Sequence, residues 1–324
     1  MPLKYDSFNY DVNHEICIVV TCYLLPVTCY LWFTTMLKEI YHFIIHLRLH
    51  YQFLILSGGY LLGGFMAGEM NTQQYWLQFL NVHILLFGGA TAYNSFWDKD
   101  TGPIGGLKNP PKMTKWMHPA SLFFMFAGLA LSFSVGGLYS TIFLLSLILF
   151  WLYSTPHARW KSTPVLSLIA IGGSTGAASV LLGTLAAGGA ISIPVLLSTS
   201  GTASVLLSIY PVSQVFQIEE DRARNDRTFA VLYGMEGIKR FFTAFYTLGS
   251  LLLITSIFWV STLAAVILFV GTATSGTYIA LTIYRLTGDK NEYSIVMKTK
   301  FFISLSFVGF FFVGNVIRYG WLGT

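Results

Sequence analysis

Asn94 and Asp98 stand four residues apart at the close of an apolar stretch, in AYNSFWDKDTGPIGG, so a helix carries both on one face. Asp100 follows where Gly102, Pro103, Gly105 and Gly106 break the helix. Further along, YPVSQVFQIEEDRARNDRT closes another apolar stretch. There Tyr210, Gln214, Gln217 and Asp221 recur at i, i+4, i+7 and i+11, again one face, with Glu219 and Glu220 beside Asp221. Each end reads amide, three residues, aspartate, base: Asn94 to Asp98-Lys99, and Gln217 to Asp221-Arg222. Solvated helix ends are also polar, but Gln214 and Gln217 lie one to two turns inside apolar sequence, where a polar side chain is costly and marks a site. Facing carboxylates repel unless cations bridge them, and hard oxygen ligands with open positions suit Mg2+, which keeps waters and shares its shell with substrate phosphates. Asn94, Asp98 and Asp100 on one side, with Gln217, Glu220 and Asp221 on the other, would form a clamp that holds a diphosphate and stabilises it as a leaving group. Asp98 and Asp221 are its central, catalytic carboxylates.

A diphosphate leaves negative oxygens for fixed cations to match. Lys108, Lys112 and Lys115 follow the first cluster, Arg159 and Lys161 lie in YSTPHARWKSTP, and Arg222, Arg224 and Arg227 follow the second. Lys108, Lys112, Arg159, Lys161, Arg222 and Arg227 are the candidate phosphate contacts. No G-x-x-x-x-G-K-[ST] loop occurs. Aromatic faces near the clusters, from Tyr93, Trp97, Tyr153, Tyr210 and Phe216, could stabilise a positive charge through their quadrupoles, and Gln214 shares their pocket.

These groups must be positioned by a membrane protein. The chain has 324 residues, 54% hydrophobic and 10% charged, against about 25% charged in soluble domains. Apolar runs recur along its length, predicting transmembrane helices over 16–37, 51–68, 74–96, 118–136, 138–154, 164–187, 193–217, 238–257, 259–283 and 300–317. The fold class is therefore all-α, a polytopic transmembrane bundle. If the first span starts outside, every one of the 19 basic residues except Lys4 and Arg318 falls on the inner side, as the positive-inside rule requires. The net charge of +5 is thus a topology signal rather than a nucleic-acid footprint. An even number of crossings separates the two polar clusters, so both meet at the inner, cytoplasmic face, with the tails opposite. Most acids gather there too, although orientation does not demand it.

Other residues read more plainly. Cys17, Cys22 and Cys29 have no metal-ligand spacing and behave as small hydrophobes. His42, His46 and His50 recur every four residues, a spacing that can bind zinc. Their interfacial position and the lack of a completing ligand set favour anchoring instead. Clusters such as GGYLLGG, GGSTG and GTATSGT permit close helix packing. The first span has no clear signal-peptide character.

The two clusters resemble those of the UbiA superfamily of intramembrane prenyltransferases, whose signatures are N-D-x-x-D-x-x-x-D and, four helices later, D-x-x-x-D. Asn94 and Asp98 match the first; Ser95 and Gly102 stand where Asp is usual. Asp221 matches the end of the second, with Gln217 in place of its first Asp. EEDRARNDRTFAVLYG is similar to the menaquinone-type stretch D-R-x-x-G-x-R-T-L-A-V-x-x-G through Arg227, Thr228, Ala230, Val231 and Gly234. YSTPHARWKSTP resembles the basic loop after the fourth helix, with Lys161 as the phosphate contact. The resemblance covers 48–317 and implies nine core helices, preceded by a tail and extra helix over 1–47 and followed by a short tail over 318–324. It also implies magnesium-dependent ionisation of a prenyl diphosphate and transfer to a lipophilic or aromatic acceptor, within the lipid bilayer and without an obligate protein partner. A terpene cyclase on the same scaffold and a transporter are the alternatives. Acceptor, prenyl length and oligomeric state are left open by the sequence.

Overall fold

Glycine and proline punctuate the apolar runs where the helices turn. The computed structural model describes residues 33–99 and 102–321. Among the described residues there are ten helical stretches: α1 (33–46), α2 (49–66), α3 (72–98), α4 (Met117–Ser132), α5 (Gly137–Ser154), α6 (Pro164–Ala187), α7 (Ile193–Ala223), α8 (Phe229–Phe258), α9 (Thr262–Arg285) and α10 (Tyr293–Tyr319). The helices α5 to α10 are each long and apolar enough to cross a membrane; this is a multi-pass membrane bundle. The expected span 16–37 lies outside the described residues except for 33–37, which open α1.

Three helices reach further than the hydropathy pattern indicates. α7 runs on to Ala223, α8 begins at Phe229 rather than 238, and α10 begins at Tyr293 rather than 300. Hydropathy reads only the lipid-immersed part, whereas backbone hydrogen bonding carries a helix beyond the bilayer as long as no residue breaks it. α8 does break internally at Gly234, where φ 58 and ψ −167 are open to glycine but strained for other residues.

Close approach of small residues holds the bundle together. α2 lies against α6 through Gly63 and Gly183, whose backbones touch the facing helix directly, and Thr184 Oγ1 donates to Gly63 O at 3.1 Å. α7 packs on α8 in the same way at Gly201 and Gly249. In lipid there is little hydrophobic drive between helices, so dispersion and interhelical hydrogen bonds take its place. Asn315 of α10 supplies one, donating to Leu61 O of α2 at 2.8 Å.

Candidate active site

α3 ends at Asp98 because Lys99 adopts a left-handed conformation, φ 52, and Gly102 and Pro103 follow. α7 tightens over Pro211–Gln217 into a 3-10 turn, since proline has no N–H for an α-helical bond. Residues three apart then eclipse, which aligns Gln214 with Gln217. The single α-helical face expected from Tyr210 to Asp221 is therefore reached through a tighter winding. Asn94 and Asp98 of α3 and Tyr210, Gln214, Gln217 and Asp221 of α7 all line one cavity of about 220 Å3. Tyr153 and Lys161 line it as well.

Two of the cavity's carboxylates, Asp98 and Asp226, are ion-paired. Lys161 forms an ion pair with Asp98, whose side chain is 6% exposed. Arg159, which does not itself line the cavity, grips Asp226 with two hydrogen bonds, Nε to Oδ1 at 3.0 Å and a terminal nitrogen to Oδ2 at 2.8 Å, and stands 4.0 Å from Asp98. Those bonds and the Asp226 charge raise the Arg159 guanidinium above its ordinary range, so it stays protonated. Thr228 donates to Asp221 at 3.1 Å. Asn94 Nδ2 donates to Ser154 at 3.2 Å and Gln217 Nε2 to Pro103 O at 3.4 Å, leaving the two amide carbonyl oxygens as acceptors. Gln214 is turned the other way: its carbonyl accepts from Ala230 N at 3.1 Å and caps the start of α8, so its amide hydrogens are what it can offer. Tyr153 and Tyr210 share a hydroxyl–hydroxyl bond of 3.0 Å.

Because Arg159 is 27% exposed while Asp226 is 6% exposed, Arg159→Gln should destabilise the fold by about 2 kcal/mol, less than the ~3–5 kcal/mol expected when a fully buried pair is broken. Thermal melting in detergent would measure it; an unchanged midpoint would mean that Asp226 finds solvent instead.

The remaining sequence candidates are not brought into the cavity. Tyr93 and Trp97 each precede a cavity residue of α3 by one position, about 100° round the helix, and pack on His118 of α4 instead. Arg222 and Arg227 are exposed, as are Lys108 and Lys112. Arg222 is turned out by its place one residue after Asp221. The two lysines belong to a loop of which Ile104 and Gly105 line the cavity. Glu220 pairs with Arg224, one helical turn on. Phe216 packs edge-on against Tyr293, with ring centroids 4.9 Å apart. Asp100 lies outside the described residues.

Arg224 and Thr228, noted in the sequence after the second cluster, line the cavity too, and Arg48, Asp226 and Lys300 line it without having been read as site residues. Lys300 carried a signal, being a charge two turns inside α10, but apolar sequence begins beside it and masks its depth. Arg48 sits between α1 and α2 with φ 50, and ties Gly105 O at 2.9 Å and Ser95 Oγ at 2.8 Å. That break also removes His50 from the face of His42 and His46. His46 holds Pro111 O at 2.8 Å and His50 holds Gly106 O at 3.0 Å, so these two histidines clamp the same loop over the cavity.

Asp98, Asp221 and two amide oxygens are hard donors suited to Mg2+, and too few to complete a shell without waters and phosphate oxygens. Among the described residues no three His, Cys, Asp or Glu side chains group as a self-sufficient metal site. The donor set fits a magnesium ion bound jointly with a phosphate-bearing ligand.

A second cavity, of about 760 Å3, adjoins the first and is lined mainly by apolar residues such as Ile55, Leu253, Ile303, Phe307 and Phe310.

The model of the UbiA prenyltransferase family matches residues 53–306. Among solved structures, the chain is similar to a UbiA homologue from Archaeoglobus fulgidus bound to DMAPP and Mg2+, at 15% identity and TM-score 0.67, covering 85% of this chain and 99% of that one. The same archaeal homologue bound to GPP and Mg2+ gives 16% identity and TM-score 0.66, covering 85% and 99%. A digeranylgeranylglyceryl phosphate synthase gives 17% identity and TM-score 0.61, covering 86% and 99%. At such identities the likeness is one of fold. No curated protein matches the sequence.

Proposed function

The chain belongs to the UbiA prenyltransferase family, and from that membership we propose that it ionises an isoprenoid diphosphate with magnesium and transfers the prenyl group to a lipophilic or aromatic acceptor. The observation that carries this reading is the meeting of Asn94 and Asp98 with Gln217 and Asp221 in one polar cavity, directly beside an apolar one. The substrates and Mg2+ bound by the archaeal relatives support the same chemistry here.

Asp98 and Asp221, with the carbonyl oxygens of Asn94 and Gln217, would hold magnesium. When bound, that ion supplies the positive charge that makes diphosphate a good leaving group. Lys161, now on Asp98, lies close enough to exchange its carboxylate for a phosphate oxygen. Gln214 offers its amide hydrogens to the same oxygens. The Tyr153 and Tyr210 rings line the cavity, and aromatic faces stabilise an adjacent carbocation. Exclusion of water from the site would keep the cation from being quenched to an alcohol. The tail would occupy the apolar cavity, whose volume suits a whole small-molecule ligand. The charge asymmetry of the sequence supports a site on the cytoplasmic face with the tails opposite.

Membranes containing the protein, supplied with farnesyl or geranylgeranyl diphosphate, should release pyrophosphate only with magnesium and an added acceptor from quinone precursors or lipid extract. EDTA should abolish the release. A cyclic hydrocarbon formed without acceptor would replace transfer by cyclisation, and no release under any condition from folded protein would overturn the enzyme reading.

A further inference from the structure

A prenyl diphosphate is a charged head and an apolar tail joined at a single C1–O bond. The polar and apolar cavities have four lining residues in common: Leu56, Thr175, Leu206 and Lys300. If the head fills one cavity and the tail the other, that bond lies within this shared ring. Lys300 is the only charged member of the ring. It is 9% exposed, stands where the apolar part of α10 begins, and among the described residues it has no ion pair. Its ammonium stands 5.1 Å from the centroid of the Tyr51 ring. A ring face holds an ammonium in place by cation–π attraction while leaving its charge unneutralised. Burying a cation without an opposite charge is costly, and such groups cluster at functional sites.

Resting on the prenyltransferase reading, we propose that Lys300 is a catalytic residue that stabilises the charge developing on the leaving oxygen as the C1–O bond breaks. The bonding electron pair goes to the bridging oxygen of the diphosphate, and C1 becomes the allylic cation that the acceptor captures. Lys300 donates a hydrogen bond to that oxygen and keeps its proton. This role differs from gripping the phosphates in the ground state, because the interaction strengthens only as the bond breaks. It also places the ammonium beside the departing oxygen, with the cation itself facing the tyrosine rings.

The test compares wild type, Lys300→Met and Lys300→Arg in detergent. Two quantities are read: binding of the unreactive analogue farnesyl thiolodiphosphate with magnesium, and pyrophosphate release from farnesyl diphosphate with acceptor extract. Lys300→Met should bind the analogue within about threefold of wild type yet release pyrophosphate about a hundredfold more slowly, the scale for losing one preorganised charge stabiliser. Lys300→Arg should retain about a tenth of the rate or more. Analogue binding also reports that the variant is folded. Release by Lys300→Met within threefold of wild type would overturn the proposal, as would weaker analogue binding with an unchanged maximal rate. If wild type itself releases no pyrophosphate, the prenyltransferase reading fails and takes this one with it; a normal rate in Lys300→Met alone defeats only the role of Lys300.

Discussion

Membranes carrying Asp98→Asn should release pyrophosphate at least a hundredfold more slowly than wild type, with a steeper requirement for magnesium. The substitution keeps the shape of the side chain and removes its charge. Two consequences follow at one point in the cavity. A hard carboxylate ligand is lost from a set that has only one such group on each helix, so the ion must rely more on waters and on the substrate. The Lys161 ammonium also loses the partner that orients it. Each preorganised charge removed from a reacting phosphate costs about 10²–10³ in rate. Asp221→Asn should act similarly, and the double variant should be little worse than either single one, because groups that hold one ion act as a unit. Pyrophosphate release across a magnesium titration measures all three. A rate within tenfold of wild type in either single variant would remove that aspartate from the machinery.

The second large effect concerns the frame. Gly183→Val should prevent accumulation of folded protein, at a cost of about 3 kcal/mol or more, the upper end for overpacking. A β-carbon on Gly183 would come within 2.1 Å of Tyr60 O, and one on Gly63 within 2.1 Å of Val180 O. Both obstacles are backbone, so no rotamer change relieves them, and α2 and α6 must move apart. That separation would break the bond from Thr184 to Gly63 and shift Thr175 and Leu56, two of the residues where the cavities join. Gly309→Ala is the matched control: nothing lies within 4 Å of its added carbon, and alanine favours a helix by about 1 kcal/mol over glycine. Thermal melting and size-exclusion profiles in detergent compare the two. A Gly183→Val protein with wild-type melting would show that the helix contact is not limiting.

Much of the site was legible because membrane sequence has little polar background. A glutamine or aspartate in an apolar run stands out through its desolvation cost, which is how Asn94, Asp98, Gln214, Gln217 and Asp221 declared themselves. Periodicity also fits residues that belong to one helix. It fails between helices and in loops. Lys108 and Lys112 have the right charge and lie near the right motif, but they are exposed while Ile104 and Gly105 of the same loop line the cavity. Tyr93 and Trp97 are neighbours in sequence to the cavity residues, and one position is enough to place them on the wrong side of α3. Arg48 and Lys300 approach from segments distant in sequence, where no spacing rule reaches.

The sequence by itself determined the membrane bundle, its expected orientation, the family and the two helix ends, because hydropathy, charge asymmetry and motif spacing are local properties of the chain. Only the tertiary structure decided which cations enter the cavity, which aromatic faces line it, and that Lys300 stands where the polar space meets the apolar one. Those outcomes depend on helix rotation, on the tight winding at Pro211, and on how closely Gly63 and Gly183 let two backbones approach. They are relations between distant segments, and packing settles them.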